Sequence, residues 1–201
     1  MLILCESIYV TLGNIIEAYG KRLQNKFRFG HYTRESLANE IEVLSSIVKQ
    51  VELADNAICL CTMLLYGMFL VMFYITISMG ISKEESFKTN LVTWFMVWNF
   101  IRAIYLFSRL TLNGCRVQKE SKKLRNIGME CSRRIAISRA DGPTLMTFSL
   151  LLGNIKDANL AVTVGGMFVV EKSLFLSVTS TIVTYGVIMF QMNDSNNILA
   201  K

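Results

Sequence analysis

Charge and proline are both scarce in this sequence. Charged residues make up 18% of its 201 residues and proline occurs once, whereas a soluble domain carries about a quarter charged residues. Hydrophobic residues make up 52%, and they are concentrated in blocks long enough to cross a bilayer, which takes ~20 apolar residues. The composition therefore excludes an ordinary soluble domain and predicts an all-α, multi-pass membrane protein.

Catalytic and metal-binding motifs are also missing. The only histidine, His31, lies among basic and aromatic residues. The sequence contains no nucleophile elbow, zinc-protease motif, phosphate-binding loop or dinucleotide fingerprint. Its five cysteines follow no disulfide or metal-binding pattern. We therefore predict that the protein is not an enzyme and has no cofactor or metal site.

The net charge of +6 raises the alternative of a nucleic-acid-binding protein. A protein of that kind carries a basic face on a soluble fold. Here the basic residues occupy the segments between apolar blocks, where the positive-inside rule places them in a membrane protein. Membrane lipid, and not nucleic acid, is the predicted partner.

The apolar blocks divide the chain into membrane and aqueous segments. Three blocks can span a bilayer: 57–80, 89–112 and 173–192. The opening stretch, 1–19, is interrupted by two glutamates and is predicted to be the inner end of a truncated membrane helix. The other segments are a cytoplasmic anchor helix (20–56), an outer loop (81–88), a cytoplasmic basic segment with a second anchor helix (113–172) and an extracellular tail (193–201).

Lysine and arginine set the predicted orientation. Segment 20–55 holds six of them and segment 113–172 holds ten, whereas the link 81–90 holds two beside two glutamates. Cytoplasmic loops carry the excess of these residues. Both rich segments are therefore predicted to be cytoplasmic, and the C-terminus extracellular.

The cytoplasmic segments have helical periodicity. Apolar residues recur at three- and four-residue steps over 37–51, which predicts an amphipathic helix continuous with the first span, from about residue 33 to residue 80. A second apolar run, Leu145–Ile155, follows an Asp-Gly-Pro turn and is too short to span. Apolar helix faces are unfavourable in water, so we expect oligomerisation through these helices, with Leu44 and Val48 at the contact.

The last predicted span carries a polar stripe. Its members fall at helical steps of four, three and seven along one face, with Ile188 completing the row: Ser177, Thr181, Thr184 and Gln191. In lipid such a stripe faces either another helix or water. Periodicity leaves two alternatives open, hydrogen bonding between helices or the lining of an aqueous pore.

The same helix carries a short signature. Thr184 and Tyr185, five residues of apolar character and then Gln191 resemble the C-terminal signature of insect gustatory receptors. The family has Phe after the glutamine, whereas this chain has Met192. Upstream residues also fall where the family places similar ones: Phe148, Ser149, Leu150, Gly166, Met167, Phe168, Glu171 and Ser177.

The resemblance implies a fold and a function. Insect gustatory receptors are similar to insect odorant receptors, with seven membrane helices, a cytoplasmic N-terminus and an extracellular C-terminus. They form tetrameric, ligand-gated cation channels in the plasma membrane of chemosensory neurons. Their last helix lines the pore and their later helices extend into a cytoplasmic anchor. By resemblance, the pore-lining residues of this chain are Ser177, Thr181, Thr184, Ile188, Gln191 and Met192.

The number of spans departs from the family pattern. Seven are expected, and this chain has three and a partial one, which predicts that the first three are lacking. The sequence is then either a fragment or a natural truncated form. The absent helices help to build the ligand pocket of the family, so the ligand-binding residues stay unidentified.

Two functions follow from these observations. The first is a gustatory receptor subunit, a non-selective cation channel opened by a small-molecule tastant and assembled as a tetramer with itself or with related subunits. The alternative is a truncated, non-conducting accessory subunit that assembles with full-length receptors. In the channel, Ile188 and Met192 are expected to form the closed constriction, and Gln191 to help cations pass.

Overall fold

Five helices build most of the chain that the computed structural model describes, which comprises residues 2–28, 33–81, 90–137 and 141–199. The helices are α1 (Leu2–Arg28), α2 (Arg34–Ile81), α3 (Asn90–Ile137), α4 (Gly142–Asp157) and α5 (Lys172–Leu199). Two short strands, β1 (Thr163–Val164) and β2 (Phe168–Val169), pair antiparallel between α4 and α5. The predicted all-α class is confirmed.

α2 and α3 are unbroken helices of 48 residues each, which makes each about 70 Å long at 1.5 Å per residue. No proline interrupts them, because the only one in the chain is Pro143 at the start of α4. They run antiparallel: the Tyr66 and Thr111 hydroxyls are hydrogen-bonded at 2.8 Å, and the rings of Phe73 and Phe100 meet edge to face. The predicted helix from about 33 to 80 is confirmed.

α1 runs parallel to α3 and is longer than the sequence suggested. Glu6 pairs with Arg109, and Glu17 pairs with Arg116 at 3.3 Å. The prediction of a short stub for 1–19 treated these two glutamates as unpaired charges that interrupt the helix. In the structure each has an arginine partner on α3. α1 continues to Arg28 without a break and, by length and composition, is a candidate membrane span.

The apolar half of the molecule, residues 57–81, 90–112 and 172–192, carries large apolar side chains on its surface. Leu64 is 54% exposed, Trp94 73% and Val183 60%. A soluble monomer rarely exposes apolar patches of this extent. Lipid is the surrounding that this surface suits.

Candidate membrane spans among the described residues include α2 as well as α1, while the apolar part of α5, Lys172–Ile188, is shorter. α3 is not among them over its described residues. The predicted borders at 56/57 and 112/113 fall inside continuous helices, so the depth of each helix in the membrane stays a prediction.

Several predicted segments lie at the limits of the described chain. The outer loop at 81–88 falls outside the described residues apart from Ile81, and so does His31. α5 continues to Leu199, so most of the predicted tail at 193–201 is helical.

The charged half of the molecule, residues 20–28, 34–56, 113–137 and 142–157, has a set of large apolar side chains buried inside the chain. Leu124 is 2% exposed and Leu151 is fully buried. The rings of Phe27 and Phe148 meet edge to face at 5.5 Å, which joins α1 to α4. This half therefore has a core of its own, formed by α1 to α4.

The prediction that Leu44 and Val48 form a contact between subunits is wrong, because this face of α2 is covered within the subunit. Leu44 is 1% exposed and Val48 is half-buried, because α4 packs on this side of α2. α4 itself leaves an apolar face exposed, formed by Leu145, Met146 and Leu150. The uncovered face thus belongs to α4, which sequence periodicity did not show because its apolar residues nearly encircle the helix.

A buried carboxylate ties α1 to α2 in the charged half. Glu40 is fully buried, and its Oε1 accepts hydrogen bonds from Lys26 Nζ at 2.7 Å and from Arg22 Nη2 at 3.1 Å. The Tyr19 hydroxyl donates to the Glu40 carbonyl at 3.1 Å. Two cations offset the desolvation of one carboxylate, so this junction is held by charge as well as by apolar packing.

Candidate functional site

The polar stripe lies on the exposed face of α5. Ser177, Thr181, Thr184 and Gln191 are exposed, and Ile188 is 48% exposed. The Thr181 hydroxyl donates to the Ser177 carbonyl at 2.9 Å, so its hydrogen is satisfied within the helix while its oxygen remains able to accept from water. The structure brings these five residues to one side of α5. The Met192 side chain is outside the described part of the chain.

A second, apolar face of α5 is packed against the rest of the molecule. Leu174, Phe175, Val178 and Ile182 lie against the hydrophobic core. Phe175 stacks on Phe107 of α3, with ring centroids 5.7 Å apart. This packing fixes the rotation of α5, and the rotation is what turns the polar stripe outward.

Tyr185 of the signature faces inward, toward α2. Its hydroxyl is hydrogen-bonded to the Ser78 hydroxyl at 3.3 Å, and its ring lies against the Tyr74 ring with centroids 5.1 Å apart. Tyr185 is thus a packing residue, in contrast to its neighbour Thr184 on the exposed face. Sequence reasoning identified Tyr185 but missed Tyr74 and Ser78, because nothing local marks partners more than a hundred positions away.

The β1–β2 hairpin connects α4 to α5 by a tight turn. Thr163 pairs with Val169 and Val164 with Phe168. Gly165 and Gly166 have φ values of 61° and 71°, which residues other than glycine rarely adopt. A Cβ at Gly165 would also lie 2.9 Å from the Met63 sulfur, so this position requires glycine for two reasons.

Asp55 clamps the hairpin to α2. One carboxylate oxygen accepts from the Thr163 backbone N–H at 2.7 Å and the other accepts from the Thr163 hydroxyl at 2.7 Å. The Gly165 N–H donates to the Cys59 carbonyl at 3.2 Å. The hairpin is therefore attached to α2 where the charged half meets the apolar half.

Gly114 of α3 lies against Val170, the residue that follows β2. A Cβ at Gly114 would lie 2.4 Å from Val170 Cγ1, a distance that no larger residue tolerates without a shift. α3 and Val170, two residues before α5, are in direct contact at this point. Together with Asp55, Gly114 fixes where α5 begins, and neither role could be predicted from the sequence.

A family model described as 7tm Chemosensory receptor matches residues 4–196. This chain belongs to the 7tm chemosensory receptor family. The resemblance inferred from Thr184, Tyr185 and Gln191 is thereby confirmed at the level of the family. No curated protein matches the chain.

Family membership and the exposed apolar half together make this protein a helical membrane receptor. The match includes residues of all five described helices up to 196, so it rests on most of the sequence and not on the signature alone. The family is one of receptors, not of enzymes. Among the described residues, no group of three His, Cys, Asp or Glu side chains is placed to hold a metal ion.

In this receptor, side chains of α3 also hold the start of α5. Glu171 accepts a hydrogen bond from the Gln118 amide and lies 3.9 Å from Lys122. Burial raises the pKa of the nearby Cys115 thiol, and Lys172 opposes that shift. The thiol therefore stays protonated at neutral pH and is a poor nucleophile.

Proposed function

We propose that this chemosensory receptor is a gustatory receptor subunit, which forms a tetrameric, ligand-gated, non-selective cation channel of the plasma membrane with α5 lining the pore. One observation carries the proposal: the hydroxyl stripe of α5 is exposed, while the apolar face formed by Leu174, Phe175, Val178 and Ile182 is packed. A stripe that only joined helices within the subunit would face inward, where its hydroxyls could bond to another helix. Turned outward in a membrane, it suits water better than lipid.

The pore consists of a polar section, formed by the earlier turns of α5, and an apolar gate formed by its later turns. Ser177, Thr181 and Thr184 line the polar section. Ile188 and Met192, one turn apart, form the closed constriction, because converging apolar side chains exclude water from a narrow passage. Gln191, beside them, helps cations to pass when the gate opens.

Apolar side chains beside the stripe supply contacts between subunits. Leu176, Val183 and Val187 flank it and are at least half exposed. When four copies turn their stripes toward one axis, these flanks approach the neighbouring copies. In the charged half, the exposed face of α4 (Leu145, Met146 and Leu150) extends the contact into the anchor.

The orientation follows the distribution of basic residues. Segments 20–55 and 113–172 hold most of the lysine and arginine and lie in the cytoplasm, so the C-terminus is extracellular. A small-molecule tastant is the activating ligand.

The test is a current recording from cells that express the chain alone and beside a full-length receptor of the family. Ile188→Ser should admit water to the constriction and produce a standing cation current without ligand. Val183→Ser is the matched control, since Val183 is 60% exposed on the same helix but off the stripe. It should leave the channel closed.

Two outcomes decide between the functions. If Ile188→Ser reaches the surface and stays silent beside a conducting parent, Ile188 does not gate the pore. If the parent co-purifies with a full-length receptor but adds no conductance in either setting, the chain is a non-conducting accessory subunit.

A further inference from the structure

A two-part cleft opens between α3 and the first turn of α5. Its apolar part, about 320 Å³, is lined by Leu112, Phe175 and Leu176 among others. Its charged part, about 670 Å³, is lined by basic and acidic side chains of α1, α3 and α5. Leu112, Cys115 and Lys172 line both parts, so the two adjoin.

Positive charge exceeds negative charge in the larger part. Its three carboxylates each have a cationic partner: Glu17–Lys21, Glu120–Lys123 and Glu171–Lys122. The last of these is the longest, at 3.9 Å. Lys119 and Lys172 also line this part, and neither has an ion-pair partner among the described residues. The cleft therefore has a local surplus of positive charge.

The lysines that line the cleft lie on two facing elements. Lys119 and Lys122 follow Cys115 at helical steps of four and three, so they share one face of α3. Lys172 is the first residue of α5, where the positive end of the helix dipole adds to the attraction for an anion. Directly beside this group, Phe175 and Leu176 supply an apolar wall.

We propose that this cleft binds an anionic glycerophospholipid, with its phosphate headgroup among Lys119, Lys122 and Lys172 and an acyl chain along Leu112 and Leu176. The inference rests on the membrane placement proposed above, which puts the boundary between lipid and cytoplasm near the start of α5. Basic pockets at that depth bind anionic headgroups. A free phosphate would use only the charged part, and a zwitterionic lipid would leave the lysines without a counter-charge.

Native mass spectrometry of the purified full chain, titrated with phosphatidylinositol 4-phosphate or with phosphatidylcholine, tests the proposal. The anionic lipid should bind more tightly. Lys119→Gln combined with Lys172→Gln should weaken its binding roughly thirtyfold. The control, Lys49→Gln with Lys156→Gln, removes the same charge from exposed sites outside the cleft and should alter binding by less than about twofold.

Two further arms separate a lipid from a soluble phosphate. Leu112→Gln with Leu176→Gln should also weaken lipid binding, because it removes the apolar wall. Soluble inositol 1,4-bisphosphate should fail to displace the lipid at equal concentration. Equal binding of phosphatidylcholine, parent-like binding by the lysine variant or displacement by the soluble headgroup would each overturn the proposal. This binding assay does not depend on a current. If the chain binds the lipid but never conducts, the proposed channel is refuted and the proposed lipid site is still supported.

Discussion

The charged half and the apolar half are built from the same long helices and follow opposite rules of burial. In the charged half Leu37, Leu124 and Leu151 are at most 2% exposed, whereas in the apolar half Leu64 and Trp94 are more than half exposed. α2 and α3 pass from one regime to the other without a break. An exposed leucine is therefore unfavourable in the charged half, which is surrounded by water, and favourable in the apolar half, which is surrounded by lipid.

α5 departs from the pattern of the apolar half along its polar stripe. Its exposed face includes Ser177, Thr181 and Thr184, at a level where α2 and α3 expose apolar residues. Lipid does not favour a row of hydroxyls. The contrast between α5 and its two neighbours supports the proposal that this helix lines the pore.

The largest expected effect lies in the core of the charged half. Leu151→Ala should lower the free energy of unfolding by about 2–5 kcal/mol, since Leu151 is fully buried and truncation leaves a cavity. The adjacent Leu150, 56% exposed, is the matched control: Leu150→Ala should cost the monomer about 0.5 kcal/mol or less and weaken the tetramer instead. Detergent-titrated unfolding measures the first effect and size-exclusion chromatography the second. Equal losses of stability would mean that the charged half has no core of its own.

An intermediate effect is expected where the two halves meet. Gly114→Ala would place a Cβ 2.4 Å from Val170 Cγ1, and overpacking of this kind costs about 1–3 kcal/mol. Because Val170 lies just before α5, ligand-evoked current should fall as well.

Gly153→Ala on α4 provides the control, because its Cβ would meet nothing within 4 Å. Alanine favours the helix over glycine by about 1 kcal/mol, so this variant should be as stable as the parent or more stable. Unchanged stability and current in Gly114→Ala would show that the hairpin does not position α5.

The smallest effect concerns the inward face of α5. A double-mutant cycle of Tyr185→Phe and Ser78→Ala should give a coupling energy of about 0.5–1.5 kcal/mol, the usual net worth of one hydrogen bond. Unfolding of the parent, the two single variants and the double variant supplies the four values. Purely additive losses would show that the contact between Tyr185 and Ser78 contributes nothing.

Helix extent and the polar stripe could be predicted from the sequence because both depend on local spacing. The expected helix from 33 to 80 matches Arg34–Ile81, because the apolar periodicity over 37–51 and the absence of proline are both local signals. The stripe from Ser177 to Gln191 follows from a period of 3.6 residues. Its outward rotation did not follow, since that depends on Phe175 packing against Phe107.

Contacts between distant segments of the chain could not be predicted from the sequence. Glu6 looked like a break in an apolar stretch because Arg109, its partner, lies 103 positions away. The hairpin was missed within a segment assigned to the anchor, although the Gly165–Gly166 pair is a turn signal. The clamp of Asp55 on Thr163 spans 108 positions, and spacing along one sequence carries no record of such a pair.

The proposed pore requires that the stripe of α5 faces water while its flank does not, and cysteine accessibility measures this difference. In a background with the native cysteines replaced by alanine, Thr184→Cys should react with a charged, membrane-impermeant thiol reagent about tenfold faster than Val183→Cys, because the reactive thiolate forms in water and not in lipid or a protein contact. Modification at position 184 should also reduce the cation current. Modification of Val183→Cys at the same rate or faster, or a Thr184→Cys that stays unmodified in the open channel, would contradict the account.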